Sequence, residues 1–410
     1  MSFEIRPITH EEFTPFATLL EHAFGHAPNP EVIEHFRKVF EFDRSLAAFD
    51  GSRIVGTAGI DSFELTLPGL TRVPAAGVTA VTVAPTHRRR GILTSMMRQQ
   101  LRDVRERGEP VAMLLASESV IYGRYGYGLA THQVELQADR GYSEFGRHPK
   151  ITGSVEPIDR EEAPRVLPKI YDEVRRQYPG CVDRSDKWWE LTFRDIESWR
   201  DGHSDRLYVV YRSGKGKLEG YVSYRVKMNW EDGGFSNGKM RVTDFITGSS
   251  EARAALWRFC LGVDLMTSVT IDNAPVDDPL RWMMADPRRL RIKSAIDFLW
   301  IRLVDVVASL SARRYSLEGK LVLEVEDPFC PENSGRYVLE GGPGGATCKR
   351  TRTKPDLSLQ ITDLGAAYLG GVAFSTLARA GRVLENGKGS LRRADLMFSS
   401  DPQPWCSTGF

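Results

Sequence analysis

Val78-Thr79-Ala80-Val81-Thr82-Val83-Ala84-Pro85-Thr86-His87-Arg88-Arg89-Arg90-Gly91-Ile92-Leu93-Thr94-Ser95-Met96-Met97 is the stretch whose reading decides the fold. The β-branched run to Val83 reads as a strand, and Pro85 stops it. Beyond Gly91, Leu93, Met96, Met97, Leu101 and Val104 recur at three- and four-residue spacing and mark one apolar helix face. A strand that runs through a basic, glycine-containing loop into a helix builds an anion site. The first helical amides lack intrahelical acceptors, and the macrodipole adds partial positive charge there. Arg88, Arg89 and Arg90 raise that potential, which suits a pyrophosphate. An ordinary turn with a solvated basic cluster would carry the same residues.

Two familiar phosphate loops do not fit. A P-loop closes on Gly-Lys-Ser/Thr, and a dinucleotide fingerprint needs three spaced glycines where this loop has only Gly91. Arg88-Arg89-Arg90-Gly91-Ile92-Leu93 resembles a third layout, Arg/Gln-x-x-Gly-x-Gly/Ala, the pantetheine-pyrophosphate loop of GNAT N-acetyltransferases. Leu93 departs from the usual small last residue.

The surrounding pattern agrees. Phe3–Ile8 reads as a strand, and Thr9-x-x-Glu12 as a capping box opening a helix toward Phe24. A second helix is expected over Glu31–Phe40. Ser45–Asp50 and Ile54–Leu65 flank the hairpin signal Asp50-Gly51, and Val111–Leu115 is a further strand. Strand, two helices, a meander, a loop with its helix, then another strand is the GNAT order.

At 410 residues the chain predicts about two or three domains. A net charge of +1 argues against a nucleic-acid binder. No apolar stretch suffices for a membrane span, and Met1-Ser2-Phe3-Glu4-Ile5-Arg6 lacks a signal-peptide layout. Cys181, Cys260, Cys330, Cys348 and Cys406 are scattered without metal-ligand spacing and read as reduced thiols, so a cytoplasmic enzyme is expected.

Glu156-Pro157-Ile158-Asp159-Arg160-Glu161-Glu162 echoes Arg6-Pro7-Ile8-Thr9-His10-Glu11-Glu12, and Lys217–Val222 parallels Arg53–Ala58. A strand over Arg241–Thr247 then enters a helix over Ala252–Gly262 through Gly248-Ser249-Ser250-Glu251, with no basic cluster. A second, degenerate copy without a coenzyme loop is inferred; chance similarity is the alternative. After Phe298–Leu303 and a short helix come strands at Leu321–Val325, Gly335–Leu339, Cys348–Arg352 and Leu357–Ile361, with helices at Asp363–Leu369 and Val372–Arg379. Gly341–Gly345 reads as a hairpin turn.

Taken whole, the chain resembles the enhanced-intracellular-survival family of bacterial acetyltransferases. The sharpest matches are Val83–Gly91, Ala116-Ser117-Glu118, Ile121-Tyr122-Gly123-Arg124-Tyr125-Gly126-Tyr127-Gly128 and the terminal Phe410. The resemblance implies an α+β chain with an active GNAT domain (1–150), a degenerate GNAT domain (151–300) and a sterol-carrier-protein-like domain (301–410). It implies acetyl-coenzyme A as co-substrate, no metal, and direct attack by an amine, borne by a small molecule or a lysine. Val81, Thr82 and Val83 would hold pantetheine; Arg89, Arg90, Gly91, Ile92, Leu93 and Thr94 would cradle the pyrophosphate; Ser117 and Glu118 would line the coenzyme.

By the same resemblance Tyr122 is the general acid and the α-carboxylate of Phe410 the general base. Thiols titrate near 8.5 and tyrosine at about 10, so a tyrosine can protonate a departing thiolate; burial raises a carboxylate toward useful basicity. Relatives acting on aminoglycosides place acidic residues where His26 and Gly409 stand here, so such polycations are expected to be weaker acceptors. Phe24, His26, Phe36 and Trp189 are the candidate acceptor-side residues, with core packing the alternative for the aromatics. A homohexamer is implied as well. A non-catalytic acyl-coenzyme A sensor and a lipid carrier are the competing readings.

Overall fold

The computed structural model describes residues 3–140 and 144–410, and the chain gathers into two compact units. The first takes in the residues up to Thr131 together with Asp297–Pro404 and Thr408–Phe410; the second takes in His132–Ile296 and Trp405–Ser407.

The first unit opens with β1 (Glu4–Arg6), α1 (Phe13–Ala23), α2 (Pro30–Arg37), β2 (Leu46–Asp50), β3 (Arg53–Thr66), β4 (Arg72–Val83), α3 (Ile92–Glu106), β5 (Val111–Leu115), α4 (Ser119–Tyr122) and β6 (Gly128–Leu129). The capping box is only half made. Glu12 accepts the Thr9 amide at 2.9 Å, but it also binds Arg6 at 2.7 Å, and α1 starts at Phe13. The helix expected to reach Phe40 stops at Arg37, and Phe40 joins an aromatic cluster with Phe13, Phe16 and Phe42 at centroid distances of 4.9, 5.2 and 5.2 Å. Met96, Met97, Leu101 and Val104 of α3 are buried with Ala76 and Val78 of β4, the face that their spacing predicted.

The second unit holds β7 (His132–Asp139), β8 (Ser154–Ile158), α5 (Ala163–Arg175), α6 (Asp186–Phe193), β9 (Leu207–Arg212), β10 (Leu218–Lys227), β11 (Gly238–Thr247), α7 (Ser250–Gly262), β12 (Met266–Ala274), α8 (Leu280–Met283) and β13 (Leu290–Asp297). Its sheet runs β13-β7-β12-β11-β10-β9-β8, with β11 and β12 parallel on either side of α7. This repeats the β4–α3–β5 unit without its anion site. Ser249 caps α7 by accepting the Ala252 amide at 3.1 Å, and the Glu251 carboxylate of the first turn takes the Tyr211 hydroxyl at 2.5 Å. A fixed negative charge stands where a pyrophosphate loop would need positive charge.

The chain then returns to the first unit through β14 (Leu299–Leu303), which pairs with β5 and β6 and completes the sheet β1-β2-β3-β4-β5-β14-β6. The two units divide at 131/132 and 296/297, where β7 pairs with β12 and β14 pairs with β5. After β14 come α9 (Val306–Ala312), β15 (Gly319–Glu326), β16 (Gly335–Gly342), β17 (Gly345–Arg350), β18 (Leu357–Gln360), α10 (Ile361–Ala367), α11 (Phe374–Arg379), β19 (Val383–Glu385) and α12 (Ser390–Phe398). Their sheet is β17-β16-β15-β18-β19, and the Gly341–Gly345 run is the β16–β17 hairpin. Arg302 on β14 joins Asp327 behind β15 at 2.5 Å, both side chains fully buried, which ties this part to the first sheet. Among the described residues no helix is long and apolar enough to cross a membrane.

Candidate active site

β4 and β5 run parallel, but their pairing spans only Ala75–Val111 to Val78–Leu114. β4 continues to Val83 whereas β5 ends at Leu115, so beyond Val78 one edge of β4 has no strand partner among the described residues. On its other edge β4 stays paired with β3, with a bulge between Thr57 and Gly59. Ala80 takes a φ of +52° there, and Thr57 donates its hydroxyl to the Ala80 carbonyl at 2.7 Å. A bulge of this kind bends the strand and re-aims its groups. The splayed strand Thr79–Val83, which includes the expected pantetheine residues Val81, Thr82 and Val83, is free to bind a linear polar ligand through its backbone.

The strand feeds a short turn, Pro85–His87, and then the arginines. Arg88, Arg89 and Arg90 are exposed, Arg89 has φ +62° and Gly91 φ +83°, and Ser95 makes the helical bond back to Gly91 at 3.0 Å. That geometry leaves the amides of Ile92, Leu93 and Thr94 without intrahelical acceptors. A side chain built at Gly91 would meet no protein atom within 4 Å, so the backbone there is open to a ligand. Arg90 also lies over the Phe3 ring at 4.9 Å, and the Thr94 hydroxyl stands 3.4 Å from that of Tyr125. Ser117 and Glu118 follow β5 and are exposed.

Tyr122 closes α4, is 5 % exposed, and meets Tyr127 edge-on at 6.1 Å. Burial, reinforced by Tyr125 and Glu118, pushes its phenol up to about 12. It therefore stays protonated through the neutral range, the form an acid catalyst needs.

The chain end docks where β4 and β5 part. The Phe410 ring lies 5.0 Å from that of Phe63, above Gly77. A Cβ at Gly77 would come within 2.6 Å of Phe63 and 3.1 Å of Phe410, so only glycine admits both rings. Gly409 lies beside Leu115, the last residue of β5.

The acceptor-side residues fare differently. Phe24, just past the end of α1, and Phe36, on α2, are 52 % and 43 % exposed, and His26 faces Glu21 at 3.4 Å. Phe40 also reaches β3: its Cε2 would lie 3.4 Å from a Cβ at Gly59. Trp189 belongs to the core of the second unit, where it packs on Tyr171 and Phe193 at 5.5 and 5.4 Å; core packing accounts for it. Phe40, Phe63, Gly77 and Asp61 were not singled out in the sequence. An aspartate inside the otherwise apolar Gly59–Phe63 alternation was the available signal.

Residues 4–130 match the family model for an acetyltransferase (GNAT) domain, 180–303 a second acetyltransferase (GNAT) domain model, and 306–407 a sterol carrier protein domain. An uncharacterized N-acetyltransferase of Streptomyces avermitilis is 42% identical over 415 residues, covering 100% of both chains. N-acetyltransferase Eis of Mycobacterium tuberculosis is 33% identical over 407 residues, or 96% of each. Among solved structures, Eis1 from Mycobacterium abscessus superposes with a TM-score of 0.87 at 34% identity, covering 99% of this chain and 100% of that one.

Proposed function

This chain belongs to the Eis family of GNAT N-acetyltransferases, and we propose that it carries acetyl from acetyl-coenzyme A to an amine by direct attack. The observation that carries the reading is the divergence of β4 from β5, with an anion loop at its open end and the chain terminus at its closed end.

The residues present suit the coenzyme. Amides of Ile92–Thr94 with Arg89 and Arg90 would cradle the pyrophosphate, the open face of Gly91 admits close approach, and the unpaired edge of β4 offers pantetheine a strand-like partner. Ser117 and Glu118 flank the same opening at the end of β5.

A neutral amine attacks the thioester carbonyl: the C–N bond forms and the C–S bond breaks. The amine proton passes to the Phe410 carboxylate, and the departing thiolate takes the Tyr122 proton. A phenol raised to about 12 is a weaker acid than the thiol that it forms, so this transfer runs uphill and comes late, as the C–S bond opens. The acceptor is an amine-bearing small molecule or a lysine side chain. Assembly into a closed homohexamer and residence in the cytoplasm belong to the same proposal; exposed Trp230, Phe235 and Trp282 are apolar surface that such assembly would cover.

Thiol release from acetyl-coenzyme A across a panel of amines and lysine peptides tests the reading. The native protein should turn over at least one class, and Tyr122→Phe should slow it by about two to four orders of magnitude while still binding coenzyme. Full turnover in Tyr122→Phe would remove the acid from the mechanism.

A further inference from the structure

Asp61 interrupts the apolar alternation of β3 and is 7 % exposed. Register fixes its direction. It pairs directly with Gly77 in the antiparallel β3–β4 ladder, so the two side-chain positions share one face of the sheet. That face carries Phe63 and the Phe410 ring, which crowd the Gly77 position. Two residues back on β3, Gly59 meets the Phe40 ring on the same face. Ala76 and Val78, of opposite parity, pack with α3. Asp61 thus lies between two aromatic groups, beside the docked chain end, across the sheet from the coenzyme-loop helix.

Among the described residues Asp61 has no hydrogen-bond or ion-pair partner. Its neighbours are otherwise engaged: Glu41 accepts the Ser62 amide and hydroxyl at 2.6 and 2.7 Å, and Arg44 pairs with Glu109 at 2.5 Å and reaches Ser62 at 2.5 Å. A buried carboxyl without a partner is costly, and folded proteins seldom keep one. The cost is recovered if a ligand brings the partner. Burial, with Glu41 reinforcing and Arg44 opposing, raises this carboxyl to about 7, so a bound cation has only a small proton equilibrium to overcome.

We propose that Asp61 selects the acceptor by binding a second, non-reacting cationic group on it. The ligand class is a diamine, or an amine that also bears a guanidinium, with the reacting nitrogen at Phe410 and the second charge at Asp61. The inference rests on the acetyl-transfer reading above.

Its test compares diaminobutane with butylamine in steady-state thiol release, using the native protein, Asp61→Asn and Asp61→Glu. The native enzyme should prefer the diamine by about tenfold or more in kcat/KM, mainly through KM. Asp61→Asn should bring that ratio near one, and Asp61→Glu should restore part of it. An undiminished preference in Asp61→Asn overturns the proposal, as does a native enzyme with none. Calorimetric titration of diaminobutane into the coenzyme A-saturated protein separates this from the acetyl-transfer reading. Binding that weakens in Asp61→Asn supports Asp61 even if no acetyl moves, and binding equal in the two proteins refutes it.

Discussion

Asp61 shows how much one side chain depends on contacts far away in sequence. Its carboxyl holds a proton up to about 7 in the folded chain, against 3.8 for an ordinary aspartate, through burial first and Glu41 second, with Arg44 opposing. Between those values the unfolded chain has released the proton while the folded chain keeps it. Stability therefore falls as pH rises across that window and stays at the lower level above it. Asparagine has no proton to lose. Thermal melts should show Asp61→Asn gaining on the native protein, by a margin larger at about pH 8 than at about pH 5. An equal margin at both would mean that Asp61 titrates as an exposed aspartate. The carboxylate that His26 and Gly409 fail to supply at the acceptor side is, on this account, supplied from β3.

At the scale of elements, the β4–loop–α3 unit was legible because every cue in it is local: β-branched residues, Pro85, three arginines, Gly91 and a helical apolar stripe. The bulge at Ala80 was not legible, since it exists only against Thr57 and Gly59 of the neighbouring strand. Gly91 carries a prediction at this scale. Its φ of +83° disfavours any side chain by about 1–2 kcal/mol, yet no protein atom stands in the way. Gly91→Val should fold, with a modest loss of stability, and bind acetyl-coenzyme A at least about tenfold more weakly, because the side chain occupies the approach to the amides. Unchanged affinity by calorimetry would place the pyrophosphate elsewhere.

Across the whole molecule, the succession of two acetyltransferase folds and a sterol-carrier-like domain was readable, and the sharing of strands was not. β7 follows the first fold in sequence but is bonded to β12, and β14 follows the second but lies between β5 and β6. Pairing between segments so distant leaves no local pattern. The same limit applied to the aromatics: that Phe40 packs near Gly59 of β3, that Phe36 is exposed and that Trp189 lies in the core of the second unit depend on contacts between distant segments. Thr408–Phe410 lies with the first unit, and the Phe410 ring fits the gap left by Gly77. Adding a single glycine after Phe410 keeps that ring and moves the free carboxylate by roughly 3.5 Å. The direct measurement is kcat for this extended protein beside the native one, with coenzyme affinity measured on both. The account predicts that kcat falls by about a hundredfold or more while coenzyme binding holds; an unchanged kcat would contradict a terminal carboxylate acting as the base.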